Sequence, residues 1–337
     1  MGRSPSKLLR FVVVLAALSV APLPRIASGK TPLKIYTSVP KNIILPITKT
    51  FARLNPDIDF TGYRAGTNQI IQRVKSDLAS SGRVESDLIW VADPAYFLDL
   101  KDQGLLLKYT SPKASVIPSI YKDPDGFFTA GRILNMGITF NRDLVPPAES
   151  PKDWQDLLDK KWKDQIAMPN PNNSGSSLDT VEALSSRLGW DYFEKLKGNG
   201  LKVIKSSTRI VKEVANGKFK IAIALDFITR NQAASGGPLG FNYPQSGAVS
   251  IASPVAIIKT TRNPAAAKRF IDFILSNEGQ RAVVQFGNLY PVNPLIAPPK
   301  GAPPFNSIAK KALPINWIHI KENRSEIIKR FSNIMKD

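Results

Sequence analysis

Cysteine is absent from this chain of 337 residues, and histidine occurs once, at His319. The first absence excludes disulfides, thiolate metal sites, thiol nucleophiles and a lipid-bearing cysteine. The second leaves one imidazole for general-base work, and His319 sits in an amphipathic tail, where a structural role is the expectation. Acids are scarce as well: 27 Asp and Glu stand against 46 Lys and Arg, a formal charge of +19. No HExxH, GxSxG or GxxxxGK pattern occurs, which removes the commonest zinc-protease, serine-hydrolase and nucleotide-cradling readings. Beyond residue 29 no apolar run reaches membrane-spanning length. Internal repeats and low-complexity tracts are missing too.

What remains is an ordinary globular composition, 43% apolar, in a chain long enough for two lobes with real cores. Residues 1–29 read as a secretory signal. Arg3, Lys7 and Arg10 form a basic start, Phe11 to Ala21 an apolar run, and Ala27-Ser28-Gly29 a small-residue cleavage site. Pro22, Pro24 and the short apolar run oppose a membrane anchor. The implied product is a soluble, periplasmic protein beginning near Lys30, with a formal charge of +15 once the four basic residues of the leader are gone. Such a balance raises nucleic acid as a partner. Its basic residues are spread along the chain with no zinc-finger or RNP motif, so no nucleic acid partner is expected. An anionic solute fits the same charge.

One stretch organises the rest: Ile166-Ala-Met-Pro-Asn-Pro-Asn-Asn-Ser-Gly-Ser-Ser177, followed by an apolar stripe at Leu178, Val181 and Leu184. It reads as a strand, a Pro/Asn loop and a helix with Ser174 at the N-cap. The first amides of a helix have no intrahelical acceptor and carry the positive end of its dipole. With the hydroxyls of Ser174, Ser176 and Ser177 and the close approach that Gly175 allows, they make a seat for phosphate, phosphonate or carboxylate. An ordinary capped helix is the plainer alternative.

Along the chain, strands at 33–38, 57–63 and 86–92 alternate with helices at 43–54, around Ile70 to Leu78, and from Asp93 onward. This βαβαβα rhythm predicts a parallel sheet with helices on both faces. Ligands of such sheets lie beyond the carboxyl ends of the strands, where Thr37, Ser38, Thr67 and Asp93 fall. A further strand spans 132–140, and a capped helix is predicted at Ser150 to Leu158. In the second half, strands at 201–204 and 219–225 end at Ser206 and Asp226. Asp226 closes an apolar strand, where a carboxylate needs a partner. It is expected to read a solute hydroxyl or ammonium, with a structural pair to Arg230 as the alternative. Arg64 and Arg132 are candidate anion clamps in a chain whose arginines are mostly surface residues.

Five stretches taken together resemble the periplasmic solute-binding proteins of ABC importers, and within them the cluster binding ferric iron, phosphonates or phosphosugars. They are Ile35 to Ser38 after a leader, Ser86 to Trp90, Trp154 to Lys163, Asn170 to Gly175 and Pro264 to Gln280. The resemblance implies an α/β, two-lobed periplasmic-binding-protein fold (type II-like) that closes on solute in the cleft. It implies lobe 1 at 30–135 plus 255–337 and lobe 2 at 136–254, with crossovers near 131–140 and 250–258. It further implies an anionic organophosphonate or sugar phosphate as solute, an inner-membrane ABC permease and its ATPase as partners, a monomer, no cofactor and no catalysis. The expected ligand-binding residues are Thr37, Ser38, Thr67, Ser174, Gly175, Ser176, Ser177, Ser206 and Asp226. Ferric-iron delivery with a bound anion is the nearest alternative. Iron-binding relatives commonly carry an adjacent tyrosine pair near the position of Asp226 to Ile228, and this chain has none, although Asp226, Tyr243 and Tyr290 are oxygen donors that could converge. An exported hydrolase acting on an anionic substrate is the alternative from another class.

Overall fold

The computed structural model describes residues 1–2 and 29–336. The proposed leader therefore lies almost wholly outside the described residues. The chain runs β1 (Thr31–Thr37), α1 (Lys41–Leu54), β2 (Ile58–Arg64), α2 (Thr67–Ser81), β3 (Leu88–Trp90), α3 (Pro94–Asp102), β4 (Leu106–Leu107) and β5 (Thr129–Asn141). It continues through β6 (Ile166–Pro169), α4 (Gly175–Leu188), α5 (Asp191–Gly198), β7 (Lys202–Ile204), α6 (Ser207–Ala215), β8 (Ile221–Leu225), α7 (Asp226–Ala234) and β9 (Leu239–Asn242). Last come β10 (Val249–Ile258), α8 (Pro264–Leu275), α9 (Asn277–Gly287), α10 (Phe305–Ala309) and α11 (Trp317–Met335).

The strands form one mixed sheet in the order β2-β1-β3-β10-β5-β8-β6-β7, with β4 and β9 added beside β10 and β5. Each end is parallel, as the alternation of strand and helix requires: β1 with β2 and β3 at one end, β6 with β7 and β8 at the other. Between them lie β5 and β10, antiparallel to each other, and these are the two strands that reach into both halves. In β5 every residue after Thr129 is buried, so both faces of the strand are covered, and its polar residues Arg132, Asn135, Thr139 and Asn141 lie inside the protein. β10 shifts register between Ser253 and Pro254, because proline cannot donate to the ladder.

Two expectations change. The predicted helix from Ser150 to Leu158 is a single 3-10 turn, Gln155–Leu158. Asp156 accepts from the backbone amides of Lys152 and Asp153, closing a side-chain turn in place of a helical one, while Trp154 is buried and donates to the Gly247 carbonyl. Nor is the tail confined to the first half. α11 pairs with that half through Lys321–Asp102 and Arg324–Asp93, yet Phe331 packs edge-on against Phe193 of α5 and Arg330 covers Trp190. An amphipathic helix with apolar residues along its length buries them against whatever lies along its track, here both halves.

Candidate functional site

A cavity of about 360 Å³ opens where the two parallel ends of the sheet face each other. Three helices begin on its wall: α2 after Gly66, α4 after Ser174 and α6 after Ser206. They follow β2, β6 and β7, so the cavity occupies the carboxyl-end position expected of α/β ligand sites. At α4, Ser174 caps as its sequence predicts: its Oγ accepts from the Ser177 amide and lies 3.0 Å from Ser176 Oγ. The loop before it is held by Asn170, whose Oδ1 accepts from Asn172 and whose carbonyl accepts from Asn173 and Ser174. Gly175 is required by contact. A Cβ there would come within 2.2 Å of the Ala92 carbonyl oxygen, on the turn between β3 and α3. Gly66 is similarly tight against the Asn173 carbonyl, and Asn68 Nδ2 donates to the Asn172 carbonyl at 2.6 Å. The starts of α2 and α4 thus meet across the cavity.

Its charge is one-sided. Arg64, Arg132, Lys205 and Arg209 line the cavity, and no Asp or Glu does. Arg132 is the deepest, 2% exposed; its Nε donates to Ser253 Oγ, it lies over the Trp90 ring, and its Nη1 has no partner among the described residues. Burial first, and Arg64 second, push its pKa down to about 9, so it remains a cation at neutral pH. Arg64 is lowered too, by desolvation alone. A buried guanidinium with an unfilled donor beside three helix starts is arranged to receive an anion.

Six of the residues expected from sequence come together here: Ser38, Thr67, Ser174, Gly175, Ser176 and Ser206. Three do not. Thr37 is buried, donating to the Trp90 carbonyl and accepting from the Val39 amide, so it closes the turn after β1. Ser177 is buried and donates to the Pro169 carbonyl. Asp226 is also withdrawn from the cavity: its Oδ2 accepts from Asn135, Arg230 and Tyr243, and its Oδ1 from the Phe227 amide. The expectation that Asp226 reads solute gives way to the structural pair with Arg230, because a carboxylate at 1% exposure is satisfied inside the protein. Its neighbours Leu225, Phe227 and Ile228 form the wall instead. Sequence reasoning missed Lys205 and Arg209. Their signal was position: they bracket the Ser206–Thr208 cap at the carboxyl end of β7.

The three oxygen donors weighed for iron do converge, but on a cation. Tyr243 and Tyr290 hydroxyls lie 3.3 Å apart, and Arg230 donates to Asp226 and to Tyr243 from the same nitrogen while its guanidinium faces the Tyr290 ring. Burial drives both phenols up, Tyr290 to about 12 and Tyr243 beyond, against the phenolate that ferric iron prefers. Among the described residues no cluster of His, Asp and Glu fit for a metal occurs.

The mixed sheet thus joins two parallel ends through β5 and β10 and leaves between them a cavity lined by cations and helix starts. The chain belongs to the bacterial extracellular solute-binding protein family, whose members match it over residues 86–323. These are binding components of transporters, not enzymes, and they deliver ligand to an ABC permease and ATPase. The chain is 28% identical over 225 residues to the phosphoglycerate transport regulatory protein PgtC of Salmonella typhimurium, covering 63% of this chain and 54% of that one. It is 24% identical over 302 residues to iron uptake protein A2 of Synechocystis, covering 83% and 84%. Its fold is that of the periplasmic binding protein AfuA from Actinobacillus pleuropneumoniae, solved with fructose-6-phosphate, at a TM-score of 0.81, 22% identity and coverage of 92% and 99%.

Proposed function

We propose that this protein captures a small organophosphorus anion, an organophosphonate or sugar phosphate, and delivers it to an ABC importer. The observation that carries this reading is Arg132: a buried cation with an open donor, at a cavity with no carboxylate and with the α4 start on its wall. Ser38, Thr67, Ser174, Gly175, Ser176 and Ser206 are proposed to contact the solute. Relatives named for phosphoglycerate and 2-aminoethylphosphonate support the phosphorus-bearing class. Those named for iron point elsewhere, and the arginine among the oxygen donors weighs against iron here.

On this reading the leader is removed, the protein works as a periplasmic monomer, and the lobes divide at β5 and β10 near residues 135 and 255. Calorimetry tests the seat. Ser174→Ala should weaken binding of every phosphonate and phosphate ester without abolishing it, since hydrogen bonds to charged groups contribute roughly 1.5–3 kcal/mol each. Arg132→Met should weaken them by at least about tenfold while leaving the unliganded fold intact, because Ser253 Oγ keeps its own bond to the Val91 carbonyl. Wild-type binding by both variants would defeat the assignment.

A further inference from the structure

Cations stand on both walls of this cavity, in two sets. Arg132 is on β5, close enough to Arg64 at the end of β2 for the two charges to oppose each other. Lys205 and Arg209 are on the other side, framing the start of α6. Lys205 is exposed, with no ion-pair partner among the described residues. Arg209 pairs with Glu213 through Nε alone, at 2.7 Å, so its two Nη groups have no partner among the described residues. Between the sets the wall is apolar, formed by Leu134, Leu225, Phe227 and Ile228.

We propose that the solute carries two anionic groups on a short carbon skeleton: a phosphoryl head at Arg132 and the start of α4, and a second anion, carboxylate or phosphoryl, at Lys205, Arg209 and the start of α6. This rests on the anion-binding reading above and narrows it. A single phosphoryl dianion would leave an excess of positive charge in the cavity, where Arg64, Arg132 and Lys205 have no acidic partner among the described residues and Arg209 alone is paired, with Glu213. A second anion offsets that excess. The same lining rejects the alternatives for the tail. An ammonium group would meet cations and no carboxylate, because Asp226, the one acid at the end of β8, is held by Arg230. A neutral hydroxyl tail would leave Lys205 and the two Nη groups of Arg209 without a charged acceptor. Leu134, Phe227 and their neighbours suit the carbon chain between the two ends.

Three compounds that differ only at the terminal group test this: 3-phosphonopropionate, 3-hydroxypropylphosphonate and 3-aminopropylphosphonate, titrated into the mature protein by calorimetry at pH 8, where the head is doubly charged. The carboxylate compound is expected to bind at least about tenfold tighter than the alcohol, one charge-assisted hydrogen bond being enough for that factor, and the amine weakest. A Lys205→Gln, Arg209→Gln double variant is expected to lose the carboxylate preference and keep its affinity for the alcohol. Equal affinity for carboxylate and alcohol, or a preference for the amine, overturns the two-anion proposal while the phosphoryl seat stands. An unchanged carboxylate preference in the double variant overturns the placement of the second anion. If none of the three compounds binds, the anion-binding reading itself fails.

Discussion

At the scale of single residues, two buried ions behave in opposite ways, and the difference is what separates the site from the scaffold. Asp226 has a full complement of donors; Arg132 has one left over. Removing one member of a buried pair strands the other, at a cost of about 3–5 kcal/mol. Asp226→Asn should therefore lower stability in chemical denaturation by an amount of that order, through the stranded Arg230, and leave discrimination among phosphonates unchanged. A stable variant with altered discrimination would return Asp226 to the ligand. Sequence alone favoured Asp226, an acid ending an apolar strand, over Arg132, an arginine opening another in a chain whose arginines read as mostly surface residues. Which of them finds partners depends on Asn135, Tyr243 and Ser253, which are distant in sequence, so this part of the site was not legible. Ser174, Ser176 and Ser206 were legible, because caps are local and obey local rules.

At the scale of elements, the seat depends on how closely α4 approaches the turn between β3 and α3. A methyl group at Gly175 meets the Ala92 carbonyl and Asp93 Cβ, so α4 must shift. Gly175→Ala should destabilise the protein by about 1–3 kcal/mol as an overpacked contact and weaken phosphonate binding more than Ser174→Ala does; thermal melts with and without ligand read both effects. Wild-type melting and affinity would show that α4 is not held by this contact. One turn further along α4, Asp179 is fully buried with both carboxylate oxygens unpartnered among the described residues. Burial, then the charge of Asp93, raises its pKa well above the usual carboxylate value, against the opposing pull of Arg324. The folded state therefore holds this proton more tightly than the unfolded state, and stability is lost as pH rises from the unfolded carboxylate value through the raised folded one. Asp179→Leu should flatten that loss, raising the melting temperature more at pH 8 than at pH 5. An equal shift at both pH values would contradict a buried, proton-bearing Asp179. Helix and strand placement followed from periodicity across most of the chain. The 3-10 turn at Gln155–Leu158 did not, because the competing side-chain acceptor, Asp156, also looks like a helix-former's neighbour.

At the scale of the whole molecule, the sheet order explains why a two-lobed reading was reachable from the sequence at all. Parallel ends arise from strand-helix alternation, which is visible as pattern; the antiparallel middle arises from β5 and β10 pairing across more than a hundred residues, which is not, and crossovers near 131–140 and 250–258 were expected only through the family resemblance. The same distance problem hid the path of α11 across both halves. What the fold supplies is a cleft between the carboxyl ends of two parallel units, and what this sequence adds is a cavity with cations, helix starts and no acid. The central claim is that this cavity holds a phosphorus-bearing organic anion. It is tested most directly by mass spectrometry of the protein purified gently from its native source, first intact under non-denaturing conditions and then after release of what it carries. The account predicts one organic anion per chain containing phosphorus, displaced by 3-phosphonopropionate and lost from Arg132→Met. A bound ferric ion, or a neutral or cationic solute retained by Arg132→Met, would contradict it.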